Sequence, residues 1–309
     1  MPAEESMGRK FAFIGVSTTE SAVNKFFSTW AALLDQPWQL EHMDADPGDN
    51  QRLQHYVHTI RENAEYVGAL VTTHKASVYE IGSELGLEEL EPAGSLREVG
   101  FLDKPKNCLR MRVSDVDSQK PVMRRLVGNP NVKGGEFLVL GAGGAGLAFA
   151  WNAAVESIGI PQRVRLIESN ESRVLSAQRI INQWNTNCPV IVDYNTLSDA
   201  IEDVSRNNEL VTFIVNASGE GKDRISSRCD VRGFSGRPLT YWDFNYRGSL
   251  DLLRAFQSFL DDEIITEDGL EYFYNGWSVV MCAVADYQWD ENVAIAFGVA
   301  AKEMTESQQ

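Results

Sequence analysis

Gly141, Gly143 and Gly146 are spaced as G-x-G-x-x-G between an apolar run, Phe137 to Leu140, and an Ala-rich stretch, Ala145 to Glu156, of helical composition and period. A dinucleotide needs a glycine at each place. One permits the tight turn, one lets the backbone approach a pyrophosphate, and one lets helix pack on strand. The helix N-terminus then offers unpaired N–H groups and a partial positive charge to the phosphates. Glycines also punctuate ordinary packed turns, so the surrounding residues decide. A second apolar strand, Val164 to Ile167, ends at Glu168, 22 residues after Gly146. A carboxylate there accepts hydrogen bonds from a ribose hydroxyl and repels a 2′-phosphate. NAD is therefore expected over NADP, with the basic Arg173 the feature that keeps NADP open.

Lys75 is the second place where residue type suggests chemistry. It closes an apolar stretch, Gly68 to Thr72, in the setting Thr72-Thr-His-Lys75. Ligand sites in open α/β sheets lie outside the carboxyl ends of strands. A lysine beside an aspartate exchanges a proton with an alcohol while the aspartate holds it in place. Asp115, after the strand Cys108 to Val113, is the nearest candidate partner. From pattern alone a lysine at a strand end is more often a solvated charge, and a lone His74 more often satisfies a loop.

The elements that must position these residues alternate along the chain. Lys10 to Val16 reads as a strand, Ser17 to Ser21 as a polar turn, and Val23 to Leu34 as a helix with Val23, Phe26, Phe27, Trp30, Leu33 and Leu34 at helical spacing. Strand Trp38 to Met43, helix Asp49 to Asn63, strand Gly68 to Thr72 and a helix from Ala76 follow. Two further strands, Ser95 to Leu102 and Cys108 to Val113, precede a helix, Asp115 to Leu126, and a turn, Gly128-Asn-Pro-Asn131. Beyond it strand and helix alternate again, through strands Val190 to Val192, Leu210 to Val215 and Leu239 to Phe244 to a helix, Leu250 to Leu260. The expected fold is α/β in two domains. Residues 1–127 form an N-terminal α/β substrate domain with a mostly parallel sheet, completed by C-terminal helices 270–309, and residues 128–269 form a Rossmann-type doubly wound domain.

Composition bounds the partners. A chain of 309 residues with 23% charged and 43% hydrophobic residues is globular and has material for two cores. The net charge of −16 argues against nucleic acid and against an anionic membrane surface. Cys108, Cys188, Cys229 and Cys282 are scattered, so neither a disulfide framework nor a metal site is expected, and a reducing cytoplasm fits. The charged start, Met1 to Lys10, shows no secretory signal, and no apolar run of about 18 residues spans a membrane.

With these residues in place, the chain resembles the shikimate/quinate dehydrogenase family over nearly its whole length. Phe13-Ile-Gly-Val-Ser-Thr-Thr-Glu-Ser21 sits where that family has I-G-N-P-x-x-H-S, and Gly68-Ala-Leu-Val-Thr-Thr-His-Lys75 resembles G-x-N-V-T-x-P-x-K with one residue deleted. Leu140-Gly-Ala-Gly-Gly-Ala145 matches the glycine turn, Val215-Asn-Ala-Ser218 resembles N-A-T, and Asp243-Phe-Asn-Tyr246 resembles D-x-x-Y. Gly276, within Asn275-Gly-Trp277, sits at the glycine before the last helices.

The resemblance implies an NAD(P)-dependent alcohol dehydrogenase acting on a ring secondary alcohol, in the setting of aromatic amino acid biosynthesis. Lys75 and Asp115 would pass the hydroxyl proton. Ser21, Thr72 and Tyr246 would touch substrate. Gly141, Ala142, Gly143, Gly144 and Ala145, with Asn216, Ala217, Ser218, Phe244 and Gly276, would line the cofactor beside Glu168. A small cyclic hydroxy acid or polyol is the expected partner, and a homodimer stays open. Three departures bear on substrate. The second serine of the family's S-x-S is Val23, the asparagine of its V-N-T is Gly100, and the glutamine of its last helix is Ala283. Each loss leaves a polar substrate group unpaired, at about 1–3 kcal/mol. Lys25 is either a replacement for the lost carboxylate contact or, more plainly, a solvated helix lysine. The N-R-T-x-x-R signature for a 2′-phosphate is Glu168-Ser-Asn-Glu-Ser-Arg173 here. Another cyclitol or cyclohexene acid as substrate, or a nucleotide-binding sensor without turnover, are the alternatives.

Overall fold

The computed structural model describes residues 9–129, 132, 134–207, 210–220, 229–259 and 263–306. Residues 130 and 131 of the expected domain boundary, Leu260 at the end of an expected helix, and the two extreme ends of the chain lie outside them. Chain contacts divide the protein into one unit formed by residues 1–114 with 274–309 and another formed by 115–273.

In the first unit, β1 (Lys10–Gly15), α1 (Val23–Leu33), β2 (Gln39–Asp44), α2 (Asn50–Glu62), β3 (Tyr66–Val71) and α3 (Lys75–Glu84) follow in strict alternation. Then come β4 (Glu88–Glu89), α4 (Ala93–Leu96), β5 (Phe101–Asp103) and β6 (Arg110–Arg112). The sheet order is β2-β1-β3-β5-β6-β4. Pairs β1/β2, β1/β3 and β4/β6 are parallel, whereas β5 runs antiparallel to both β3 and β6. Every residue of β3 is buried, as an apolar run covered on both faces requires. Edge strand β2 mixes exposed and buried positions. Asp49 starts α2 by accepting from the Arg52 N–H at 3.0 Å. One face of this sheet packs Ile14, Leu53, Val57, Val71, Val78, Leu102 and Met111. The other carries an aromatic layer in which Phe11 meets Phe27 at 5.4 Å and Trp30 stacks on Phe297 at 5.3 Å.

The second unit opens with α5 (Asp115–Val127) and continues through β7 (Glu136–Leu140), α6 (Gly144–Ala154), β8 (Arg163–Glu168), α7 (Glu171–Ile181), β9 (Val190–Tyr194) and α8 (Leu197–Asn207). It closes with β10 (Val211–Asn216), β11 (Leu239–Asp243), α9 (Asp251–Gln257) and β12 (Ile264–Glu267). All its strands are parallel, in the order β12-β11-β10-β7-β8-β9. Chain order reverses between β7 and β10, which is the switch point of a doubly wound sheet and opens a crevice at its carboxyl edge. Leu138, Leu140, Ile201, Ile214, Phe234 and Phe256 fill one side. Phe137, Phe149 and Phe213 interlock edge to face on the other, at 5.2 and 5.4 Å. Helix α10 (Leu270–Val284) begins in this unit and continues in the first, where α11 (Glu291–Glu306) follows.

The structure differs from the sequence reading in three places. The strand expected from Ser95 is a helical turn, α4, stopped by Arg97 at a left-handed φ of 51°, and β5 is only three residues long. Strands β4 and β12 were not foreseen. Helix α5, expected in the first domain, groups with the second unit. Among the described residues no helix is long and apolar enough to cross a membrane, and no cluster of His, Cys, Asp and Glu has metal-ligating geometry.

Candidate active site

The turn after β7 is built as its spacing demands. Gly141 has φ +105°, and a Cβ there would lie 3.1 Å from the Ala217 carbonyl carbon, so only glycine fits. A Cβ on Gly146 would run into the Gly141 carbonyl. Gly143 is different: among the described residues a Cβ there meets nothing within 4 Å, so their packing does not ask for glycine. Its open face lies at the N-cap of α6, where backbone N–H groups point outward. That combination fits a pyrophosphate. Glu168, nearly buried, accepts from the Asn170 N–H at 3.0 Å and from the Ala142 N–H at 3.4 Å. The carboxylate at the end of β8 is thus tied to the glycine turn.

Across the switch point, the ends of β10 and β11 share a buried polar network. Asp243 is 1% exposed and accepts from the Tyr241 hydroxyl at 2.8 Å, the Asn216 side-chain amide at 3.1 Å, and the Asn245 backbone and side-chain N–H at 2.9 and 2.8 Å. Burial pushes the Asp243 carboxyl above the ordinary carboxylate range, against the pull of those four donors. Burial, then the Asp243 charge, holds the Tyr241 hydroxyl well above its usual value. Asn216 Oδ1 accepts from the Ser218 hydroxyl at 2.6 Å, and Asn245 donates to the Ser218 carbonyl at 3.1 Å. Ala217 N–H reaches back to the Leu140 carbonyl at 2.9 Å. Asn216, Ala217 and Ser218 therefore stand against the glycine turn. Phe244 packs on Tyr272 at 4.8 Å and Tyr246 on Phe273 at 4.6 Å. In the sequence Asp243 and Asn245 stand out only as parts of the Asp243-Phe-Asn-Tyr246 motif. Their role as the hub of this network needed three-dimensional neighbours.

Asp115 is the first residue of α5, nearly buried, in the second unit. Lys75 is the first residue of α3, half-buried, in the first unit, where its carbonyl accepts from the Val99 N–H at 3.1 Å. His74 satisfies a loop: its buried Nε2 faces the Gly15 and Ala45 carbonyls at 3.1 and 2.9 Å. Thr72 donates to the Ile14 carbonyl at 3.2 Å at the end of β3. Ser21 ends the 3-10 turn Thr18–Glu20, which Asp44 fixes through the Thr18 N–H at 2.9 Å. Lys25 is exposed on α1. Gly276 sits inside α10, half-buried, and like Gly143 it faces open space.

Two of the three departures prove to be packing features. Val23 is fully buried on the core face of α1. Gly100 lies against Ser114, whose backbone N and Oγ would each be 2.8 Å from a Cβ. No larger residue fits there without movement. Ala283 is half-buried on α10.

Fold and turn together define a two-unit α/β protein whose second unit is a doubly wound parallel sheet with a glycine turn at its switch point. Its particular fold is that of the shikimate and quinate dehydrogenases. Quinate dehydrogenase from Corynebacterium glutamicum in complex with NAD superimposes with a TM-score of 0.75 at 16% identity, over 95% of this chain and 98% of that one. Shikimate 5-dehydrogenase from Listeria monocytogenes in complex with shikimate and NAD gives 0.73 at 14%, over 94% and 96%. The ligand-free 5-ketofructose reductase of Gluconobacter sp. strain CHM43 gives 0.67 at 15%, over 96% and 99%. No family profile and no curated protein matches the sequence.

Proposed function

We propose that this protein is a nicotinamide-dependent oxidoreductase, preferring NAD, that interconverts a ring secondary alcohol and its ketone. The observation that carries the reading is the all-parallel sheet with Gly141 at positive φ at its switch point and Gly143 open above it. The shared fold with NAD-bound quinate dehydrogenase and with a reductase of a sugar ketone supports the same chemistry. When bound, the nicotinamide takes up or delivers the hydride. The chain's own residues do the rest. The first turns of α6 hold the pyrophosphate, Glu168 holds a ribose hydroxyl, and Asn216, Ala217, Ser218, Phe244 and Gly276 line the cofactor. Lys75 and Asp115 pass the proton of the substrate hydroxyl, and Ser21, Thr72 and Tyr246 hold the ring.

Val23 and Gly100 favour a substrate other than shikimate itself. Both positions, polar in the resembled family, are closed here by core packing and by Ser114. A cyclic polyol or hydroxy acid with fewer polar groups to satisfy is the better fit.

Titration calorimetry with NAD and NADP, repeated with shikimate, quinate and neutral cyclic polyols, tests this. NAD binding that tightens with a cyclic polyol, followed by turnover that Lys75→Ala abolishes, is expected. Turnover unchanged in Lys75→Ala would refute the mechanism.

A further inference from the structure

Helices α5 and α6 are joined by two buried amides that point in opposite directions. Gln119, on α5, donates from Nε2 to the Ala145 carbonyl in the first turn of α6 at 3.0 Å. Asn152, on α6, donates from Nδ2 to the Val116 carbonyl in the first turn of α5 at 2.9 Å. Both side chains are fully buried, and in each the amide oxygen has no hydrogen-bond partner among the described residues. A buried unsatisfied oxygen is costly, and an apolar side chain of similar size would avoid that cost. Stability alone therefore does not account for either residue. Position does. Gln119 lies four residues after Asp115, on the same face of α5. Ala145 lies within the glycine turn, and Val116 is the residue next to Asp115. Gln119 also reaches the Tyr272 hydroxyl at 3.4 Å, and Tyr272 packs on Phe244.

We propose that Gln119 and Asn152 form a reciprocal clamp that sets the Asp115 carboxylate relative to the turn that cradles the cofactor. They are positioning residues. Sliding of α5 along α6 breaks both bonds at once, whereas apolar packing between the helices would tolerate it. The proposal rests on the role given to Asp115 above.

The test uses the full chain and the cyclic alcohol that it oxidises most readily. Gln119→Met keeps the size of the side chain and removes the donor; Asn152→Leu removes the opposing one and serves if the first fails to fold. Each is expected to lower kcat roughly tenfold to a hundredfold, as misplacement of a reacting group by about 1 Å does. Thermal stability should hold or rise, and the NAD dissociation constant should change by less than about threefold, a little under 0.7 kcal/mol. The decisive readout is a double-mutant cycle. In an Asp115→Asn background, Gln119→Met should change kcat by less than about twofold, because the two act through one group. Losses that add in both backgrounds, or a kcat that stays unchanged while stability moves, overturn the clamp. If Asp115→Asn alone leaves turnover intact, the role of Asp115 fails first and the clamp falls with it.

Discussion

The Asn216 side-chain amide donates to the Asp243 carboxylate across 3.1 Å and so ties the carboxyl end of β10 to that of β11. These two strand ends carry Asn216, Ala217, Ser218 and Phe244, four of the residues proposed to line the cofactor, and one buried acid joins them.

That acid has a pH signature. Burial raises the Asp243 carboxyl above the ordinary range, whereas the unfolded chain ionises near about 3.9. The native state therefore holds its proton longer. Its contribution to stability is full below the unfolded value and is lost as pH rises through the raised native one. In urea melts from pH 4 to pH 7, the stability of wild type minus that of Asp243→Asn is expected to fall steadily. A difference independent of pH would remove Asp243 as the titrating group.

Two glycines should respond in opposite ways to alanine. Gly276 is helical and faces open space, so Gly276→Ala is expected to stabilise the free protein by up to about 1 kcal/mol, a rise in Tm of roughly 2–4 °C. It should nonetheless weaken cofactor binding severalfold by filling that space. Gly141→Ala, at positive φ and against Ala217, should lower Tm instead. Melting curves with and without NAD separate the two.

Glu168 is expected to set the choice of cofactor. Its carboxylate repels a 2′-phosphate, so Glu168→Ser should weaken NAD and strengthen NADP. A shift in their ratio of at least about tenfold corresponds to 1.4 kcal/mol. Calorimetry with both nucleotides reads this directly, and an unchanged ratio places the discrimination elsewhere.

The thiols offer a test of the core that is independent of function. All four described cysteines are free; Cys282 is fully buried and Cys108 exposed. Burial, aided by the charge of Asp290, pushes the Cys282 thiol up to about 12. Mass spectrometry after alkylation at pH 8 should find Cys108 modified and Cys282 untouched until urea unfolds the chain.

Much of this was readable beforehand because the strongest signals are local. The apolar run into Gly141, Gly143 and Gly146 specifies strand, turn and helix within a dozen residues, and the alternation from Lys10 to Glu84 specifies the first half of its sheet. Strand β12 escaped because four residues, Ile264 to Glu267, make too short a pattern to stand out. The turn at Ala93–Leu96 was hidden by the apolar residues that follow it. Val23 is more instructive. Its spacing with Phe26, Phe27 and Trp30 already marked it as core, yet alignment by motif cast it as a lost substrate contact. The Asn216–Asp243 hub joins residues 27 positions apart, and the bonds of Gln119 to Ala145 and of Asn152 to Val116 span 26 and 36; no local pattern announces such contacts.

Trp30 stacks on Phe297 and donates to its carbonyl at 2.9 Å, although 267 residues separate them. On the ribosome, α1 therefore emerges long before its cover exists. The second unit, contiguous in the chain, can complete its sheet while Phe11, Phe27 and Trp30 still wait for Trp277 of α10 and Phe297 of α11. For that interval the nascent chain presents an uncovered aromatic surface, so chaperone dependence during synthesis should centre on the first unit rather than on the second.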